Sequence, residues 1–543
     1  MTRKLAKTCF AAGMMLLSSM ASAQISHGGA PLFNHSKEGV KEVVLSTVDC
    51  RQLLLEDQQS GKGSALRVGV MQDTRISNLT DGTLTTLADG SRVWRIAIVS
   101  PEATHVSLHF SEFDIPEGAQ LFVYDASGDF VIGAFTRENM MDDYLFHTQV
   151  IPGSTAVVEY REPAAVAGQG RLEINRVQHG YKALPMLFAN EDKGSHGDAE
   201  GSCHINVKCP EGDDWRDEIR SVVCDQMVAG PYVFSCTGSL VNNTAQDHAP
   251  YILSAYHCQD LSAYGTISSW TFYFNYNTFT CEGNSGGVGN SMTGCDIKAR
   301  YKADGGSDML LVRLKQNIPD IYKPYYAGWD RATTLPTVGM AIHHPGGDFK
   351  KLTIPQRLQN YDANYHLAWW YTDHSKGVTE GGSSGSPLFN GSKHIVGMLH
   401  GGASSCTASS NAMYDLYGKF NVAWTGGGTT ASRLKDWLDP TNSGVTYLDG
   451  SDYQDTPEAI NEVNAIALKV YPNPTTDMLY LDIDEVGMAH YRVFSLDGRC
   501  LREGNTVLTT TAQAINLKGL AAGSYRVVLY TSTKSYSAQI IKQ

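Results

Sequence analysis

Beyond its first residues the chain has no long apolar run, so no later segment reads as a membrane-spanning helix. It has no cluster of Lys and Arg, and its formal charge of -13 argues against nucleic acid as a partner. It has no Cys-x-x-Cys pair, which argues against a zinc ribbon; no metal and no cofactor are expected. No long-period repeat is evident either. What is present is an ordinary globular composition rich in glycine, in 543 residues. That length exceeds one hydrophobic core, so three or so domains are expected.

The first residues read as a signal peptide, residues 1–23. Arg3, Lys4 and Lys7 supply the charge, Phe10 to Met20 the apolar stretch, and Ala21-Ser22-Ala23 the small-residue cleavage site. Export implies an oxidising compartment in which cysteines can pair. Cys9 leaves with the signal, and Cys50 and Cys500 stand alone at either end. The rest (Cys203, Cys209, Cys224, Cys236, Cys258, Cys281, Cys295, Cys406) fall in one middle block. Their even number suits a disulfide framework whose connectivity counting cannot fix.

The fold class expected is all-β. Residues 24–193 read as a β-rich domain, with strands at Val93 to Val99, Val106 to Phe110, Leu121 to Tyr124 and Val157 to Tyr160. No catalytic constellation is evident there, so it reads as a folded pro-domain or binding module. Residues 194–450 hold the cysteine block, and short strands broken by Gly and Asn suggest barrels. Ala431 to Leu438 reads as one amphipathic helix stopped by Pro440. Residues 451–465 read as an acidic, polar linker. Residues 466–543 read as a small β-sandwich, with Asp497-Gly498 as a hairpin turn.

Three side chains carry candidate chemistry. Ser384 lies in Glu380-Gly381-Gly382-Ser383-Ser384-Gly385-Ser386-Pro387, a glycine-rich bend running into the apolar Leu388-Phe389. Such a bend lets the N–H groups of Gly382 and Ser384 point at one spot and bind an oxyanion. His257 ends the apolar run Ile252 to Tyr256 and is followed by Cys258, whose disulfide would fix the imidazole for general-base work. Asp308 opens Met309 to Leu314, where a carboxylate can be buried against an imidazole Nδ1–H. Asp304 competes but has no strand behind it. Ser285, in Gly283-Asn284-Ser285-Gly286-Gly287, looks more like a protease serine in letters. It precedes Asp308 and leads into no buried strand, so Ser384 is the expected nucleophile.

The order His…Asp…Ser is that of chymotrypsin-like enzymes. Ser254-Ala255-Tyr256-His257-Cys258, Ser307-Asp308-Met309-Leu310-Leu311 and Gly382 to Pro387 resemble the triad motifs of trypsin-fold serine proteases. More narrowly, Cys203 to Gly450 resembles the bacterial lysyl endopeptidases. The likeness includes Cys209-Pro210-Glu211-Gly212-Asp213, Cys236 to Asn243, Ala327-Gly328-Trp329-Asp330-Arg331, His343-His344-Pro345, Leu399-His400-Gly401-Gly402 and Trp424 to Gly428.

This resemblance implies a double six-stranded β-barrel with a C-terminal helix, the triad between the barrels, and hydrolysis of peptide bonds after lysine through an acyl-enzyme. It implies His257 as base, Asp308 as orienter, Ser384 as nucleophile, and Gly382 and Ser384 as oxyanion donors. It implies the bridges Cys203–Cys406, Cys209–Cys281 and Cys236–Cys258, and leaves Cys224 and Cys295 for a fourth. Asp415 matches the acid at the base of the primary pocket. A buried carboxylate there selects a cationic side chain, and physics alone admits Lys or Arg. His400 matches a histidine near the active site on which an aromatic from a nearby loop stacks. The sequence departs there: the loop from Thr353 to Tyr365 is shorter and has no Trp, leaving Tyr361 as the stand-in. A lysine-specific enzyme could cut its own chain at Lys193-Gly194, giving a mature start at Gly194.

The last domain resembles the C-terminal sorting domain of type IX secretion, on Tyr471-Pro472-Asn473-Pro474, Val493 to Gly498, Leu520 to Tyr525 and Ile540-Ile541-Lys542. The expected partners are protein or peptide substrates and the type IX machinery, with the enzyme a monomer, secreted or attached to the outer surface. Two alternatives stay open: a protease preferring Arg, and a secreted binding protein with an inert protease fold.

Overall fold

The computed structural model describes residues 25–33, 39–59, 65–184, 203–260, 269–283, 286–287, 290–302, 305–361, 366–370, 376–408, 413–454, 466–483, 487–495, 500–508, 513–530 and 535–543. The expected signal peptide, Lys193-Gly194, Ser285, Asp304, the Asp497-Gly498 turn and the linker beyond 454 lie outside the described residues. The chain divides into two compact units, Met1–Gln454 and Asp455–Gln543.

Strand Arg92–Val99 organises the N-terminal sheets. It pairs with Thr155–Glu162, Glu42–Val44 and Thr83–Thr86. Trp94, Ile96 and Ile98 enter the main core, while Ala97 faces a smaller cluster with Phe122, Tyr124 and Val157. Burial on both faces is why its sequence alternates only in part. Strand His105–Asp114 sends Val106, Leu108 and Phe110 into the main core, and Ser107 and His109 to its other face.

The protease strands form two barrel-like sheets, both nearly closed. In the first, Asn290–Thr293 and Cys295–Tyr301 are two halves of one strand bent at Gly294 (φ 80°). The first half pairs with Thr271–Phe274 and the second with Met309–Leu314, which continues the sheet through Tyr251–Ala255, Tyr232–Leu240 and Val222–Ala229. In the second, Lys351–Thr353 pairs with Gly339–His343 and Arg357–Asn360 pairs with His366–Trp370. Pro387–Asn390, Ile395–Gly402 and Tyr414–Lys419 link Gly339–His343 to His366–Trp370.

Three details differ from the sequence reading. The helix expected over Ala431 to Leu438 is broken into a 3-10 turn, Thr430–Ser432, and a short helix, Lys435–Leu438. Ser432 turns its hydroxyl back to accept the Thr429 N–H at 3.1 Å, and Arg433 is extended (φ -143°, ψ 151°). Phe420–Thr425, which the pattern missed, is helical. Cys224 and Cys295 do not form a fourth bridge. Cys224 packs outside the barrel wall with Val68 and Met71, Cys295 inside with Ile252 and Leu310, and neither is in a disulfide.

The N-terminal strands and the first barrel share one 12-stranded sheet. Strand Leu66–Ser77 runs antiparallel to Tyr232–Leu240, setting Leu66 opposite Ser235 and Val70 opposite Tyr232. Side chains extend the contact: Arg176 donates to Gly230 O at 2.7 Å, and Ser291 Oγ to Gln149 Oε1 at 2.8 Å. His109 and His147 stack there, with ring centroids 5.1 Å apart. His147 Nε2–H reaches Trp270 O at 3.2 Å.

Burial pushes both imidazoles down, His147 to about 4 and His109 well below the usual histidine value. The charged groups that bear on them, Arg176 and Lys315, are both cations and push the same way. An unfolded histidine protonates near 6.5, so the unfolded chain takes up these protons first as pH falls. Their stabilising contribution is present above about pH 6.5 and is lost as pH drops toward 4, by about 1.4 kcal/mol per pH unit for each histidine. The Tm of the full chain is therefore expected to fall between pH 6.5 and 4.5. His147→Gln should flatten that slope, and an equal slope in wild type and variant would refute the assignment.

The C-terminal unit packs a sheet of Ile466–Ala467, Ser535–Lys542, Gly523–Tyr530, Gly487–Ser495 and Cys500–Leu508 with a second of Lys469–Tyr471, Met478–Asp482 and Gln513–Asn516. Leu479, Leu481 and Ile515 from the smaller sheet meet Val493, Val527, Leu529 and Ile540 in one core.

Candidate active site

The expected residues converge from both barrels. Strand Tyr251–Ala255 passes into the short helix Tyr256–Asp260, which carries His257, and Cys258 is bridged to Cys236 on the neighbouring strand. Asp308 stands just before Met309–Leu314, the strand paired with Tyr251–Ala255. Its backbone is left-handed (φ 53°), a conformation that aspartate tolerates better than most residues.

The Asp308 side chain is fully buried (0 % exposed) and collects three donors. Oδ1 accepts the His257 backbone N–H at 2.8 Å, and Oδ2 lies 2.6 Å from His257 Nδ1 and 2.6 Å from His400 Nδ1. Burial alone would raise this carboxyl. The attraction and hydrogen bonds of His257 and His400 outweigh it and bring it to about 2. An ionised carboxylate only accepts, so both Nδ1 atoms carry protons, and in the neutral ring the lone pair of His257 is then on Nε2.

Ser384 is nearly buried, at 3 % exposure, and its bend is held from several sides. Thr237 N–H donates to Ser384 O at 2.8 Å, Thr237 Oγ1 to Gly382 O at 2.9 Å, and Gly385 N–H to Leu399 O at 2.8 Å. Ser383 Oγ lies 2.7 Å from His343 Nδ1. Gly385 (φ 83°) has no alternative, because a Cβ there would stand 2.3 Å from Ser254 Oγ. Gly382 (φ 92°) turns so that its N–H and that of Ser384 donate to no protein acceptor among the described residues. His257 Nε2 is likewise buried with no hydrogen-bond partner, so the Ser384 hydroxyl is not bonded to it here. His257 and Asp308 are joined, and Ser384 shares their corner: its carbonyl oxygen is 3.9 Å from Cys258 Sγ.

The bridges Cys203–Cys406, Cys209–Cys281 and Cys236–Cys258 are all formed. Glu380, which opens the serine loop, accepts the Cys406 N–H at 3.1 Å and lies 3.4 Å from His204 Nε2. Asp415 is fully buried on strand Tyr414–Lys419. Thr379 Oγ1 donates to its Oδ2 at 2.8 Å and Ser404 Oγ to its Oδ1 at 2.7 Å. His400, matched to a histidine near the active site and expected among the substrate-binding residues, places its Nδ1 against Asp308. Tyr361 does not stack on it but on Tyr414, at 6.0 Å. His366, which sequence reasoning missed, sets its ring against His400, at 4.9 Å. A ring expected from the short loop comes instead from the strand after it.

Residues 197–418 match the family described as lysyl endopeptidase, C-terminal domain, and residues 469–543 match the secretion system C-terminal sorting domain. The chain is 30% identical over 342 residues to the lysyl endopeptidase of Pseudomonas aeruginosa, covering 59% of this chain and 67% of that one. The chain belongs to the lysyl endopeptidase family. As a member it is a serine endopeptidase, and its sorting domain makes it a type IX export product, secreted or held at the cell surface. Among solved structures, a Glu endopeptidase aligns at 19% identity over 37% of this chain and 85% of its own, with a TM-score of 0.26. The protease Anisep from Arthrobacter nicotinovorans aligns at 16% identity over 37% and 91%, with a TM-score of 0.28.

Proposed function

We propose that this lysyl endopeptidase family member cleaves peptide bonds on the carboxyl side of lysine, with Ser384 as nucleophile, His257 as base and Asp308 as its orienter. Ser384 Oγ adds to the carbonyl carbon as its proton passes to His257 Nε2. The resulting oxyanion accepts the N–H groups of Gly382 and Ser384. His257 then gives the proton to the leaving amine, the C–N bond breaks, and an ester remains on Ser384. Water repeats the cycle: His257 takes its proton, its oxygen adds to the ester carbon, and Ser384 Oγ departs with that proton.

The observation that carries this reading is the Asp308 carboxylate, buried and ionised at 2.6 Å from His257 Nδ1. It fixes the tautomer that leaves Nε2 able to accept. In this chain Nε2 and the serine hydroxyl are not bonded, and Leu66 of the N-terminal strand lies beside the serine loop: a Cβ on Gly381 would be 3.7 Å from it. We read this as the latent precursor. The N-terminal strands and the linker act as pro-domain and tether around a protease domain, and the enzyme works as a monomer.

The buried Asp415 carboxylate supports the preference for a cationic side chain. Digestion of a denatured protein, with every cut mapped by mass spectrometry, is expected to give termini after lysine. Cuts after arginine at equal rate would leave a basic-specific protease without the lysine preference. Asp415→Asn should lower kcat/KM on lysine substrates by roughly 10²–10³-fold, the scale of losing one partner of a buried charge pair, and leave neutral substrates far less affected.

A further inference from the structure

The carboxylate of Asp415 is clasped before any substrate arrives. Its two oxygens take hydroxyls from two separate segments, Thr379 ahead of the serine loop and Ser404 beyond strand Ile395–Gly402. Both hydroxyl residues are fully buried, and their oxygens lie 3.4 Å apart. Gly402 admits the arrangement, since a Cβ there would stand 2.4 Å from Asp415 Oδ1.

The two basic side chains meet this clasp differently. A guanidinium binds a carboxylate best as a planar fork, with two parallel N–H bonds to both oxygens at once. Here each oxygen already accepts one hydroxyl, so the fork must compete for the lone pairs it needs. An ammonium is a compact point charge with three donors that can point apart. It can take one carboxylate oxygen and still donate to the hydroxyl oxygens, because a hydroxyl that has given its proton keeps two lone pairs.

We propose that Thr379 and Ser404 are specificity-determining residues that turn a general basic preference into one for lysine over arginine. This rests on the reading that Asp415 receives the substrate's cation. Thr379→Val removes one hydroxyl at constant shape, Ser404→Ala removes the other, and Thr379→Ser restores the first. Each variant is assayed on matched lysine and arginine amides, and the ratio of kcat/KM values is taken within one preparation, so the fraction of active enzyme cancels.

Each deletion is expected to lower the lysine-to-arginine ratio at least about tenfold, the scale of one hydrogen bond to a charged group, with Thr379→Ser close to wild type. A wild-type enzyme that prefers lysine, with variants that keep its ratio within about twofold, overturns the role of the hydroxyls and leaves that of Asp415 standing. A wild-type enzyme that cuts after lysine and arginine at equal rate overturns the role of the hydroxyls and leaves Asp415 as the acid of a general basic pocket, whereas one that cuts after neither removes both. Asp415→Asn separates the two, because it should depress lysine and arginine substrates together.

Discussion

Ser384→Ala is expected to lower kcat by about 10⁴–10⁶-fold while the chain folds as before. The fold should survive because the bend is not held by the lost hydroxyl. Thr237 N–H is accepted by the Ser384 carbonyl, Gly385 N–H by Leu399, and Ser383 carries the side-chain bond to His343. Alanine keeps all of these. Some turnover above the uncatalysed rate should remain, since the Gly382 and Ser384 N–H groups still greet the oxyanion. Single-turnover kinetics beside a thermal melt would check both halves. An unchanged kcat removes Ser384 from the chemistry.

Asp308→Asn should cost about 10⁴-fold in kcat through the proton on the imidazole. Asp308 offers two accepting oxygens to three donors, two of them ring nitrogens on the same oxygen. Asparagine has one oxygen. If it faces the backbone N–H of His257, its amide N–H₂ points at both rings and drives His257 to carry its proton on Nε2, where no base is left. If it faces the rings, the N–H₂ opposes the backbone N–H. The wild-type carboxyl is depressed below its ordinary 3.8, so its stabilising contribution is full above that value and fades only as pH falls toward about 2. The variant should lack that acid limb, so melts at pH 4 and pH 2.5 read the stability effect and kcat at neutral pH reads the tautomer. Wild-type kcat in the variant would end the orienting role.

Much of the site was legible because each side chain sits where a strand's pattern stops. His257 follows an apolar run, Asp308 precedes one, and Ser384 lies in a glycine bend that opens another. The structure puts all three at barrel edges for the same reason. What was not legible depends on pairing between distant segments. The register of Leu66 against Ser235 leaves no local mark, because either strand reads the same with or without that neighbour. The thiols of Cys224 and Cys295 could not be sorted until the barrel wall stood between them. Tyr361 was the loop's stand-in for the missing Trp, yet the strand beginning at His366 sets a different ring against His400. The helix forecast over Ala431 to Leu438 failed because its apolar spacing carried no warning that Ser432 would bond backward.

The seam between Leu66–Ser77 and Tyr232–Leu240 has a consequence for maturation. Stripping away the N-terminal strand would bare the main-chain donors and acceptors of Tyr232 to Ser235, next to the bridge beside His257. A naked ribbon of this kind recruits any extended polypeptide that drifts past. One rail would then serve twice, first gripping the precursor's own segment and later the chain to be cut. While tethered, that segment enjoys an effective concentration no free peptide matches, and severing the tether would be what lets strangers compete.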